Sequence, residues 1–186
     1  LTQGYRIFRG IIPPTLLRDL RRQADLARAL AHELNGPQTQ RIQPLEQYED
    51  RIDLQPFRDY VNLPALHDAI EELLGPGYTH AHLHIMGLLV EPAEHPWHCG
   101  WHRDGVVEVP PEARTPELAA EMNEFWHDLR VFNQVNCALY ADACTWFVPG
   151  SHLRSFDVSG EVQSAGMEAM QTPPAGLSDV EAERFY

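Results

Sequence analysis

The sequence predicts an α+β domain in which two N-terminal helices precede a β-sandwich or β-barrel core. Two segments before residue 75 carry apolar residues at helical spacing, whereas two longer segments beyond residue 78 alternate with the period of a strand. The chain has 186 residues, of which 44% are hydrophobic, enough for one core without disulfides. We therefore expect one domain over 1–186, with a helical scaffold at 1–78 and the first part of the β core at 79–186.

Two helices are expected in the N-terminal part, each bounded by proline and glycine. The first begins at Pro13-Pro14-Thr15 and ends at Asn35-Gly36-Pro37, and the second begins at Pro64 and ends at Gly75-Pro76-Gly77. The segment 38–62 between them is polar and aperiodic, so no element is predicted there. The inward positions are Leu16, Leu17, Leu20, Ala24, Ala27 and Leu30 in the first helix and Leu66, Ile70, Leu73 and Leu74 in the second.

Four strands are expected around these helices. Tyr5–Arg9 alternates briefly, Thr79–Val90 alternates over its whole length, Trp101–Asp104 is short, and Leu129–Tyr140 is the longest candidate. Thr115-Pro116 is a typical start for a helix that runs to about Trp126.

Charge and composition narrow the class of partner. A formal net charge of −13 repels phosphate backbones and anionic lipids, which argues against nucleic acid and membrane surfaces and favours a small-molecule substrate. Three cysteines without C-x-x-C spacing predict neither a disulfide framework nor a zinc ribbon, and the chain has no apolar run long enough for a membrane span. These features favour a reduced, cytoplasmic setting.

His102 and Asp104 are the candidate metal ligands. Residues two apart on an extended strand project from the same face, so both side chains can chelate one cation. This arrangement supplies two ligands of the 2-His-1-carboxylate triad, which leaves open positions on Fe(II). A surface histidine beside an acid is the commoner explanation of so short a pattern. A kinase catalytic loop is excluded, because it requires an asparagine where the chain has Val109.

Three further segments give this pair its context. They are the opening Gly4–Gly10, the helix end Leu74-Gly75-Pro76, and the block Phe147-Val148-Pro149-Gly150-Ser151-His152. In this order and spacing, and over most of 4–152, the chain resembles the phytanoyl-CoA dioxygenase family of iron(II)- and 2-oxoglutarate-dependent oxygenases. The resemblance implies a double-stranded β-helix, the cupin-like jelly roll, with flanking N-terminal helices.

The resemblance also implies a reaction and its ligands. Fe(II) held by His102, Asp104 and a later histidine would use 2-oxoglutarate and O2 to hydroxylate a small organic substrate, with release of succinate and CO2. In the family, that histidine, and the arginine or lysine that pairs with 2-oxoglutarate, lie well beyond the Pro-Gly-Ser-His block, so we expect both after Tyr186. Ser178–Glu181 has the form of a capping box that starts another helix, which also predicts further residues there. His152 follows a turn-forming sequence, so we interpret it as a framework residue rather than the third ligand.

Cosubstrate contacts are expected from Met86, Gln134 and Asn136. The resemblance places Gln134 and Met86 near positions that contact 2-oxoglutarate, and Asn136 shares a strand face with Gln134. On the inner face of a barrel, these amides would be buried and hydrogen-bonded. Ordinary core packing is the alternative for Met86, and a ladder-edge or loop contact is the alternative for the two amides.

His80, His82 and His84 share one face of the predicted strand 79–90 and raise a separate hypothesis. Imidazoles in this pattern could bind zinc or iron without 2-oxoglutarate, although strand residues two apart are about 6.6 Å apart, so at most two reach one tetrahedral ion. Two alternatives to the oxygenase therefore stay open. One is a non-catalytic jelly-roll protein that binds a small molecule, and the other is a cupin-like metalloprotein that uses this histidine strand.

Overall fold

A computed structural model of the chain describes residues 2–78, 80, 82–95, 97, 111–126, 128, 130, 133–141 and 145–156. Within these residues the protein is mostly helical. The α-helices are α1 (Pro14–Asn35), α2 (Gln55–Val61), α3 (Pro64–Leu74) and α4 (Pro116–Trp126). The strands β1 (Arg41–Ile42) and β2 (Leu88–Leu89) pair antiparallel, with Arg41 opposite Leu89 and Ile42 opposite Leu88. Short 3-10 turns occur at Leu45–Tyr48, Leu83–Ile85, Pro111–Ala113 and Ser151–Leu153.

The predicted double-stranded β-helix is wrong for the described part of the chain, where the two-residue pair β1–β2 is the whole sheet. Tyr5–Arg9 forms no strand, and in the predicted strand 79–90 a 3-10 turn occupies Leu83–Ile85 before β2. Residues 133–141 also form no ladder, and Trp101–Asp104 lies outside the described residues. Alternating apolar residues need only an extended backbone, whereas a strand also needs a hydrogen-bonded neighbour.

The helices expected from proline and glycine punctuation are confirmed. Pro14 and Pro64 occupy the first positions of α1 and α3, where the missing N–H costs nothing. Gly36 and Gly75 end the same helices with positive φ angles of 93° and 74°, and their N–H groups donate to the His32 and Glu71 carbonyls. The backbone N–H of Leu118 donates to the Thr115 hydroxyl at 3.2 Å, the contact expected of a helix-starting threonine.

Helix α2 lies in the segment 38–62, for which the sequence predicts no element. Pro56 stands in its first turn, and Phe57 and Tyr60 bury one face. The spacing of Phe57, Tyr60 and Val61 is helical, but one turn of such spacing is too short to stand out in a polar stretch.

The described residues group into two compact units. The helical unit takes its residues from Arg6–His95 and Leu129–Asp142, and the terminal unit takes its residues from Leu1–Tyr5, Pro96–Asp128 and Ala143–Tyr186. The core of the helical unit is an apolar cluster contributed by α1, β1, the first 3-10 turn, α2 and the segment around Leu83 and Val90. Its fully buried large side chains are Phe57, Leu20, Ile42 and Leu45.

None of the helices in the described ranges is both long enough and apolar enough to cross a membrane.

Candidate functional site

The proposed iron ligands His102 and Asp104 lie outside the described residues, as do His98 and Cys99 just before them. Their assignment therefore stays a prediction from the sequence motif. Within the residues that the structure does describe, no group of three or more histidine, cysteine, aspartate and glutamate side chains could hold a metal ion.

The three predicted cosubstrate residues lie in different environments of the helical unit. Met86 is half-buried and packs against the core cluster. Gln134 and Asn136 are exposed, whereas Cys137 and Leu139 on the same segment turn toward the core. The expected alternation therefore holds from Asn136 to Tyr140, but the two amides occupy its solvent side rather than a buried inner face. Their role in binding 2-oxoglutarate stays a prediction.

The histidine series divides into two separate ring contacts. His82 and His84 flank the buried Leu83 and face each other, with ring centroids 5.5 Å apart and ring planes 15° from parallel. His80 instead lies 4.7 Å from the ring of His67 and 4.7 Å from the ring of Tyr78. The three imidazoles do not line one strand face, because the 3-10 turn interrupts the extended backbone.

His67 joins α2, α3 and the segment that follows α3. Its Nε2 lies 2.8 Å from the Val61 carbonyl, and its Nδ1 lies 2.6 Å from the Tyr78 hydroxyl. A carbonyl can only accept, so Nε2 carries a proton, and in the neutral ring Nδ1 accepts from the Tyr78 O–H. The sequence does not predict this contact, since no spacing rule relates residue 67 to residues 78 and 80.

In the terminal unit, the opening segment lies against the block that ends at His152. The Gly150 N–H donates to the Gln3 carbonyl at 3.2 Å, and the rings of Tyr5 and Phe147 stack with centroids 4.8 Å apart. Gly4 passes so close to the His152 imidazole that a Cβ at this position would overlap the ring. Two of the four segments that carry the family resemblance are therefore in direct contact.

Cys137 forms a hydrogen-bonded pair with Tyr60 of α2. Burial raises the pKa of the Tyr60 hydroxyl above its usual 10.0, and the neighbouring thiol adds to the increase. Burial likewise raises the pKa of the Cys137 thiol, while the hydrogen bond from Tyr60 opposes that increase. A thiol held in its neutral form is a poor nucleophile and a poor metal ligand, so we assign Cys137 a packing role.

Arg21 and Asp25 of α1 attach the end of the same segment. The Arg21 Nε donates to the Leu139 carbonyl at 2.6 Å, and its guanidinium lies 5.0 Å from the centre of the Tyr140 ring. The Tyr140 hydroxyl donates to the Asp25 carboxylate at 2.8 Å. These contacts, with Cys137 and Leu139 against the core, hold residues 137–140 on α1 and leave Gln134 and Asn136 at the surface.

Comparison of the chain with protein-family models, with curated proteins and with solved structures gave no match.

Proposed function

We propose that this chain is an Fe(II)- and 2-oxoglutarate-dependent oxygenase that hydroxylates a small organic substrate. The observation that carries the proposal is the His102-Arg103-Asp104 sequence, set between the opening, helix-end and Pro-Gly-Ser-His segments in the order of the phytanoyl-CoA dioxygenase family. His102 and Asp104 would supply one imidazole and one carboxylate to the iron. A second histidine would complete the triad.

The two predicted ligands have the chemistry that the proposed reaction requires. Neutral imidazole and carboxylate are the donor types of non-haem Fe(II) sites, and three such ligands leave positions for exchangeable groups. The function of a site follows from these side chains rather than from the fold that carries them. The bound iron would supply oxygen activation coupled to oxidation of 2-oxoglutarate, and retention of Asp104 as a carboxylate favours hydroxylation over halogenation.

Support from the described residues comes from the contact between the ends of the resembling region. Gln3, Gly4 and Tyr5 contact Gly150, His152 and Phe147 through a backbone hydrogen bond, a close approach and a ring stack. Contacts of three kinds between segments about 145 residues apart require a specific chain path. The side-chain environment of His152, against the Gly4 backbone, agrees with a framework role.

Gln134 and Asn136 would contribute to the proposed function as amide donors. Both side chains are exposed, so the carboxylates of a small dicarboxylic acid can accept hydrogen bonds from them without prior opening of the core. Met86 would contribute apolar surface from its half-buried position. The proposed substrate is a small molecule, since the net charge of −13 repels polyanions and anionic membranes.

The experiment that tests the proposal is anaerobic Fe(II) binding by the full-length protein and by its variants His102→Ala and Asp104→Ala. We expect one high-affinity Fe(II) in the wild type and at least about a tenfold loss of affinity in each variant, since even indirect partners of a ligand contribute about 10- to 100-fold. His95→Ala, which removes another exposed histidine, is the control. Equal Fe(II) affinity in all four proteins would contradict the assignment.

A further inference from the structure

We propose that His82 and His84 form a second metal site, which binds a divalent cation of the Cu2+, Ni2+ and Zn2+ group on the surface of the helical unit. This site uses none of the residues of the proposed iron site. It takes Cu2+ most tightly, since affinities of nitrogen ligands for these ions rise to a maximum at copper.

The separation of the two rings fits one shared ion. Because a zinc–imidazole bond is about 2.1 Å long, two rings bound to one tetrahedral ion have centroids on the order of 5 Å apart. The centroids of His82 and His84 are 5.5 Å apart, and because the ring planes are 15° from parallel, at least one ring must rotate to bind the same ion. Both side chains are exposed, so rotations about their side-chain bonds can turn one nitrogen of each ring toward a common point.

The backbone that carries the two rings is held in place. Leu83, between them, is 8% exposed and belongs to the core cluster. The N–H groups of Ile85 and Met86 donate to the carbonyls of His82 and Leu83, each at 3.0 Å. The Gln43 side chain donates to the Ile85 carbonyl at 2.9 Å. The backbone positions of the two imidazoles are therefore fixed before an ion binds, which lowers the ordering cost of binding.

Two protein ligands define the expected affinity and selectivity. His80 is engaged with the rings of His67 and Tyr78, and the described residues offer no group of three ligands. Water would therefore fill the remaining positions of the ion, and Fe(II), which lies low in the affinity series, would bind weakly. The net charge of −13 raises the local concentration of any cation.

The test is a Cu2+ titration of the full chain, followed by paramagnetic broadening of backbone amide NMR signals. We expect the amides of Leu83 and Ile85 to broaden at substoichiometric Cu2+. We expect His82→Ala and His84→Ala each to abolish this broadening and to weaken the corresponding Cu2+ affinity at least about tenfold, by the same ligand argument as for iron. His95→Ala is the matched control and should change neither result.

The variants His82→Ala and His84→Ala can support the proposal or overturn it. Unchanged broadening at residues 83 and 85 in both variants, or broadening confined to other segments of the wild type, would overturn it. Because His82 and His84 are exposed, their removal should leave the far-UV circular dichroism spectrum and the thermal midpoint unchanged. The same titration in His102→Ala separates the two sites, since the loss of iron binding should leave Cu2+ binding at His82 and His84 intact.

Discussion

Both the backbone conformation and a tertiary contact at position 4 require glycine. Its φ of 90° is rarely adopted by other residues, and the His152 imidazole occupies the space that a Cβ would need. Gly10 has a comparable φ of 70°, but no neighbouring atom lies within 4 Å of the position that a Cβ would take there. The two glycines therefore separate the cost of backbone strain from the cost of displacing the ring.

We predict that Gly4→Ala disrupts the contact with the His152 block and that Gly10→Ala does not. Both variants carry a backbone penalty of about 1–3 kcal/mol. In Gly4→Ala the displaced opening segment should also release the Gly150 N–H from the Gln3 carbonyl. Amide hydrogen exchange at Gly150 should then be faster in Gly4→Ala than in the wild type and unchanged in Gly10→Ala. Equal protection in all three proteins would show that the opening segment does not pack against this block.

The Tyr60–Cys137 pair predicts a loss of stability at alkaline pH. Burial raises both folded-state pKa values above the ordinary 10.0 and 9.0, so the folded chain keeps protons that the unfolded chain releases. The contribution of the pair is therefore constant below about pH 9 and falls above it, by about 1.4 kcal/mol per pH unit for each group once its unfolded form has ionised. Urea denaturation of the wild type from pH 7 to pH 11 measures this decline.

The variant Tyr60→Phe tests whether Tyr60 causes the loss of stability above pH 10. At pH 7 the variant should lose about 1 kcal/mol, the ordinary value of one hydrogen bond. Above pH 10 its stability should fall less steeply than that of the wild type, because the tyrosine contribution is gone. Parallel declines in the two proteins would mean that another group is responsible.

At the scale of elements, α1 is the helix on which the helical unit is assembled. Leu20 is 2% exposed and lies in the core, while Leu26 on the same helix is 49% exposed. We predict that Leu20→Ala lowers the free energy of unfolding by about 2–5 kcal/mol, as expected for a buried leucine. Leu26→Ala is the matched control and should change it by less than about 0.5 kcal/mol. Similar losses in both variants, measured by guanidinium denaturation, would contradict the described orientation of α1.

The elements also show what sequence patterns can and cannot predict here. The boundaries of α1 and α3 follow from local chemistry, since proline at the first turn and glycine after the last act within a few residues. The strand predictions for 5–9 and for the described residues 133–140 are wrong, and only Leu88–Leu89 of the predicted strand 79–90 is a strand. Pairing is decided by distant partners, as when Ile42 of β1 pairs with Leu88 of β2 far along the chain. The alternation in 79–90 predicts one continuous strand, but Leu83 is buried through a 3-10 turn instead.

The sequence predicts the placement of the candidate site residues only in part, as it does the elements. Alternation along 136–140 is correct, and it arises from local backbone geometry. The side of that segment that faces the core is not predictable, because Cys137 and Leu139 are turned inward by contacts with α1 and α2. The same reason explains why His80 joins His67 and Tyr78, residues that no local spacing connects to it.

At the scale of the whole molecule, the central claim is that the chain carries out 2-oxoglutarate-dependent oxidation at His102 and Asp104. The acidic charge, the motif order and the contact between Gln3–Tyr5 and the block that ends at His152 agree with a small-molecule oxygenase. The proposed copper-group site at His82 and His84 makes total metal content a poor test. A measurement of turnover that requires both Fe(II) and 2-oxoglutarate is more direct.

That measurement is succinate formation from 2-oxoglutarate by the full-length protein supplied with Fe(II), O2 and a panel of small organic acids and amides. We expect succinate above the protein-free background, abolished in Asp104→Ala and in His102→Ala, and retained in His82→Ala. Succinate formation that is equal in the wild type and in Asp104→Ala, or absent from the wild type together with absent Fe(II) binding, would contradict the proposed activity.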